Sequence, residues 1–230
     1  MSRNLEIFTT PEVRSSPRFR AKDAIIRRVL AGTVLHAGSS AICMPCELGP
    51  EARMLARKGV KPQNIWAIEC VPSAHAAIAT GFNEKGLPLP HPRGIRTTQK
   101  PLEFHLAVDE IWRETDKAAF DFVYLDFLSQ PTAQMGRGLV RMFKLRMLGM
   151  SATLVITTGH NRHPSGFLHA TNNTFYEHGY SACAAYVEAA LWTAKHPPYH
   201  RVRSYQYESS NDKNKKSTYE TRVYKWKEEA

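Results

Sequence analysis

The stretch Ser40–Cys70, SAICMPCELGPEARMLARKGVKPQNIWAIEC, alternates a short apolar run, an amphipathic segment and a second apolar run. Ser40–Pro45 (SAICMP) has the length and composition of a buried strand. Pro50–Lys58 (PEARMLARK) opens on a proline and is closed by Gly59, which predicts a helix. Asn64–Cys70 (NIWAIEC) predicts the second strand. Strand, helix, strand at this spacing is a βαβ unit, in which the helix carries the chain back so that the two strands run parallel.

Reading outward toward the C-terminus, Ser73–Thr80 (SAHAAIAT) predicts a further helix with Ser73 as its N-cap. Residues 81–94 are rich in Gly and Pro and predict a loop, followed by a polar strand near Ile95–Gln99 at a sheet edge. Leu102–Glu114 carries a helical apolar pattern, and Phe120–Leu125 (FDFVYL) is a strongly β-forming run ending at Asp126. A helix over Gly138–Leu148 then feeds Ala152–Thr157 (ATLVIT), a fifth strand. This alternation predicts a doubly wound α/β core. Beyond a His- and Asn-rich segment, Phe175–Lys195 includes a helical stretch. His200–Glu208 and Thr218–Lys227 alternate in polarity and predict a terminal antiparallel β-hairpin, with the lysine-rich loop 209–218 facing solvent.

Toward the N-terminus, Asp23 is the expected cap of a helix ending at Gly32. Residues 1–22 hold two prolines, several arginines and Lys22 with little periodicity, which predicts a basic arm ahead of a single domain over 23–230. The 230 residues are 43% hydrophobic and 23% charged, the usage of a chain that folds around one sizeable core. Met1–Arg20 has no apolar signal region and the chain has no run of 18 apolar residues, so a cytoplasmic protein with reduced thiols is expected. Cys43 and Cys46 form a CxxC, but no second pair follows at zinc-binding spacing; structural thiols and no metal are expected.

A formal charge of +10 favours an anionic partner such as nucleic acid. The basic residues gather in the N-terminal arm, in Arg137, Arg141 and Lys144 on one helix face, and in Lys213, Lys215 and Lys216 of the hairpin loop. Such a stripe either tracks phosphates or is a solvated face. The chain lacks both GxGxxG and GxxxxGK[ST], which argues against a nicotinamide dinucleotide site and a P-loop.

In an open parallel sheet ligands bind beyond the carboxyl ends of the strands, and an acid ending the second strand holds a ribose diol. Glu69 occupies that place, 22 residues after Glu47 in the loop Pro45–Pro50. Taken singly, Glu69 and Asp126 are also ordinary turn-capping residues at strand ends, and Glu47 is also a first-turn helix acid.

Taken together, the ExG loop, the acidic end of the second strand, Asp126 after FDFVYL and the terminal hairpin resemble the class I S-adenosylmethionine-dependent methyltransferase family over roughly residues 35–227. The resemblance implies a Rossmann-like, mostly parallel sheet of about seven strands with a C-terminal antiparallel hairpin, and S-adenosylmethionine as cofactor. It places Pro45, Cys46, Glu47 and Gly49 at the amino-acid end of the cofactor, Glu69 on the ribose, and Cys70 and Val71 beside the adenine. Pro101 and Leu102 stand at the family's third motif, whose acid is missing or displaced to Glu103. Asp126, with Phe127, falls on the fourth motif beside the methyl group. As the catalytic residue, Asp126 either acts as a base or positions the nucleophile, and positioning is favoured because in-line methyl transfer depends on geometry. His160 and Arg162, beyond the fifth strand, are candidate substrate-binding residues, and equally read as solvated loop residues.

The first motif departs from the family, with Pro50 and Glu51 in place of further glycines. This motivates a second reading, a catalytically silent domain of the same fold that serves as a nucleic-acid-binding or structural subunit. Two look-alikes of nucleic-acid methyltransferase motifs do not hold. His196-Pro197-Pro198-Tyr199 follows a helix-like approach where a buried strand is needed, and Pro45-Cys46 has only 44 residues before Pro45, too few for a preceding cofactor motif.

Overall fold

The computed structural model describes residues 17–45, 50–82, 85–89, 91–116, 118–127, 132–159, 199–210 and 216–226, together with 187, 189–191, 193 and 194. They fall into two compact units, Met1–Ala107 and Val108–Ala230.

The first unit opens with α1 (Pro17–Ala31), then β1 (Ala41–Cys43), α2 (Glu51–Arg57), β2 (Ile65–Ala67), α3 (Pro72–Thr80) and β3 (Arg96–Thr97). β1 pairs with β2 and β2 with β3, all parallel, in the registers Ile42↔Trp66 and Trp66↔Arg96. Ala41, Ile42, Cys43, Ile65, Trp66 and Ala67 are all buried, the composition expected of strands covered on both faces. β3 is polar and ends the sheet, as its sequence predicted.

Two helix starts differ from expectation. α1 begins at Pro17, so Asp23 lies within the helix and Lys22 is part of it; the proline's fixed φ suits a first helical turn. At α3, Val71 is the N-cap, with no side-chain cap bond, and Pro72 fills the first helical position, so Ser73 is not the cap. α3 ends on Gly81, whose φ of 79° is left-handed and disfavours any residue with a Cβ.

The second unit continues α4 (Phe104–Glu114), a helix begun at the end of the first, into β4 (Phe120–Asp126), α5 (Ala133–Lys144), β5 (Leu148–Gly159), β6 (Tyr199–Ser210) and β7 (Lys216–Trp226). β4 and β5 are parallel, with Asp126 opposite Thr157. β7 runs antiparallel to β5 and β6 antiparallel to β7, so the predicted terminal hairpin is present. α5 starts five residues before the predicted Gly138, because Thr132 caps it by accepting from the Met135 amide at 3.3 Å. It stops at Lys144, where Arg146 at φ 56° reverses the chain, so Leu148 begins β5 and does not end the helix. The core of this unit is built from Phe120, Phe122, Tyr124, Leu139, Met142, Phe143, Leu154 and Ile156, each buried. Every such side chain contributes about 1.5–3 kcal/mol on removal from water.

The seven strands form a mostly parallel Rossmann-like α/β fold closed by an antiparallel strand pair. Of the helical stretch expected in 175–195, Val187, Ala189, Ala190, Leu191 and Thr193 are helical. No helix among the described residues is long and apolar enough to cross a membrane.

Candidate functional site

β2 delivers Glu69 to its carboxyl end, two residues past the last ladder residue, Ala67. The Glu69 carboxylate turns back on the chain, and Oε1 accepts from the amides of Cys70 and Val71, both at 2.8 Å. These amides belong to the two residues just before Pro72, so the acid fixes the turn that leads into α3. Hydrogen bonds to an ionised acceptor are worth about 1.5–3 kcal/mol each, which holds the carboxylate in one orientation.

The same residue organises a second segment. Its backbone carbonyl accepts from Leu102 at 3.1 Å, which lays Pro101 and Leu102 along the end of β2. Glu69 is only 9% exposed. Burial raises its pKa above the ordinary carboxyl range, against the lowering pull of the Val71 and Cys70 amides and of His75. Cys70 is exposed, yet its thiol is pushed up to about 11 by desolvation and by the negative charges of Glu69 and Glu103. A thiol in that state is not a nucleophile at neutral pH.

At the end of β1, Pro45 is buried, while Cys46, Glu47 and Gly49 lie outside the described residues. Cys43 is buried, and its thiol is pushed well up by desolvation and Glu51, with Lys22 acting the other way. It is an inert structural thiol. Glu51 opens α2 and meets Lys22 of α1 at 2.8 Å, the two side chains being 1% and 3% exposed.

In the second unit Asp126 is the last residue of β4 and is buried. Phe127, also buried, donates its amide to Thr157 at 2.9 Å and so extends the β4–β5 ladder one residue past Asp126. His160 and Arg162 lie outside the described residues. The structure therefore brings together Glu69, Cys70, Val71, Pro101 and Leu102 in one unit, and holds Asp126 and Phe127 at a strand end in the other.

Two residues at the first cluster were not singled out from the sequence. His75, in the first turn of α3, is buried, and its Nε2 lies 2.7 Å from the Thr98 carbonyl. Thr98 in turn donates its hydroxyl to the Lys100 carbonyl at 2.7 Å. A histidine on the buried face made by Ala74, Ala77 and Ile78 was a readable signal, since a polar ring on such a face requires a partner.

No family model and no curated protein matches this chain. Its fold does match solved structures. Phosphoethanolamine N-methyltransferase 2 from Haemonchus contortus matches with a TM-score of 0.54 and 10% identity, over 97% of this chain and 56% of that one. A proposed sarcosine dimethylglycine methyltransferase from Galdieria sulphuraria matches with a TM-score of 0.51 and 14% identity, over 90% and 87%. The [4+2]-cyclase SpnF matches with a TM-score of 0.50 and 13% identity, over 87% and 80%. The chain has the class I methyltransferase fold.

Proposed function

We propose that this chain is an S-adenosylmethionine-dependent methyltransferase whose cofactor is held at the Glu69 strand end. The observation that carries the reading is the Glu69 carboxylate, buried and oriented by two backbone amides at the carboxyl end of the second strand. The residues fit the group. A carboxylate is an acceptor for both hydroxyls of a ribose diol, and an orientation fixed before binding lowers the ordering cost. Cys70, Val71, Pro101 and Leu102 would border the adenine. When bound, the cofactor supplies an electrophilic sulfonium methyl for in-line displacement. Asp126, at the end of β4, would position the attacking atom of the acceptor.

The variant Glu69→Gln tests this. It keeps an oxygen for the Cys70 and Val71 amides while removing the charge. Calorimetric titration with S-adenosylhomocysteine should show binding by the unsubstituted chain and a loss of about tenfold or more in E69Q. Absence of binding at millimolar ligand would sink the proposal.

A nucleic-acid acceptor is the substrate class we favour, on the charge of +10 and the exposed Arg137, Arg141 and Lys144 of α5. Of the other proposed contact, the stretch 209–218 expected as a loop, residues 209–210 belong to β6 and 216–218 to β7, and 211–215 lie outside the described residues. A cytoplasmic location accords with this partner and stands as part of the proposal.

A second reading keeps the fold and the nucleic-acid partner without methyl transfer. It is favoured by Glu51, a residue of the departing first motif that is committed to a buried pair with Lys22. Retention on nucleic acid combined with silence toward S-adenosylhomocysteine would select it.

A further inference from the structure

We propose that His75 is a positioning residue of the Glu69 site, pinning the Thr98–Leu102 segment against the first turn of α3. The proposal rests on the cofactor reading given above. A carbonyl oxygen only accepts, so His75 Nε2 carries the proton in its 2.7 Å bond to Thr98. The ring thereby links the first turn of α3 to the residue that follows β3.

From Thr98 onward the chain is held at two further points. The Thr98 hydroxyl closes the turn on Lys100, and the Leu102 amide bonds to the Glu69 carbonyl. Both flanks of the proposed adenine slot, 70–71 and 101–102, are therefore fixed through Glu69 on one side and His75 on the other. Thr98 is 2% exposed and His75 7%, so water does not readily replace the bond once it is removed.

Two variants test the pin. In His75→Leu the donor is lost. In His75→Gln a side-chain amide keeps a donor toward Thr98. In calorimetric titration with S-adenosylhomocysteine at neutral pH, H75L should bind about tenfold more weakly and H75Q within a few-fold of the unsubstituted chain. Rescue by H75Q, which keeps the donor, distinguishes the pin from mere packing of the ring.

H75L binding as well as the unsubstituted chain, or H75Q failing as badly as H75L, would each overturn the proposal. Hydrogen exchange at the Leu102 amide, measured without ligand, keeps the pin separate from the cofactor reading. Faster exchange in H75L shows the pin itself, and unchanged exchange removes it. If the unsubstituted chain ignores S-adenosylhomocysteine, the cofactor reading fails, and the exchange result alone decides the pin.

Discussion

Glu69 is a carboxylate that the fold both orients and penalises. Two amides bind Oε1, yet burial is the larger influence and leaves the folded pKa raised. An acid whose folded pKa is raised binds its proton more tightly in the folded state, so its contribution to stability is fully present below the unfolded pKa and is lost as pH rises through the folded one. Ionisation at neutral pH therefore works against folding, and only a ligand that uses the charge recovers that cost. E69Q should accordingly gain in stability relative to the unsubstituted chain as pH rises from the acid side of the carboxyl range to neutrality. Urea denaturation at two pH values reads this, and a difference that shrinks toward neutrality would contradict the burial argument. Stability and affinity moving in opposite directions at one residue is the behaviour expected of a group kept for binding.

At the scale of elements, α1 is joined to α2 through Lys22 and Glu51, a pair almost wholly removed from water. A buried pair of this kind is weak evidence for stability, because desolvation offsets the attraction, whereas removal of one partner strands a buried charge at a cost of about 3–5 kcal/mol. K22M should fall in that range by chemical denaturation. The double variant K22M/E51M should recover most of the loss, and a double variant as unstable as K22M would show that the pair's geometry matters beyond its charge. By contrast, the Arg141–Asp109 pair joins α5 to α4 at 2.7 Å with both side chains about half exposed, and solvent screening leaves it worth little.

Periodicity located nearly every one of these elements, but it erred at their ends. The helix start was misplaced at Pro17, at Pro72 and at Thr132. In each case the end is set by a backbone requirement, a proline in the first turn or a hydroxyl reaching an amide three residues on, and not by the apolar pattern that marks the middle of a helix. The reach of β5 back to Leu148 was missed for a related reason. Leu148 joins the sheet by pairing with Phe120, ahead of a register shift that precedes the Phe122–Thr153 pair, and no apolar run marks Gly149 to Ser151.

At the scale of the whole molecule, the surplus of 31 basic over 21 acidic residues bears on association, not on fold. If α5 tracks phosphates through Arg137 and Lys144, affinity for a nucleic-acid duplex should fall steeply with salt, with a log–log slope near −0.9 for each phosphate neutralised. R137Q/K144Q should then flatten the slope by about two such contacts, as measured by fluorescence anisotropy over a salt series. An unchanged slope would mark that face as merely solvated.

Fold class was legible in the sequence because it depends on the order of apolar runs, and order is a one-dimensional property. Glu69 and Asp126 were legible as strand ends for the same reason. The sequence did not reveal which groups meet at Glu69: the amides of Cys70 and Val71 on its carboxylate, Leu102 on its carbonyl, and His75 reaching Thr98 across 23 residues of chain. The Cys70 and Val71 amides are one and two residues away and form a local turn, whereas the Leu102 and His75–Thr98 contacts were decided by tertiary structure. Hydrogen bonds form between groups that the packing of strand, helix and loop brings within about 3 Å, and no spacing along the chain encodes that approach.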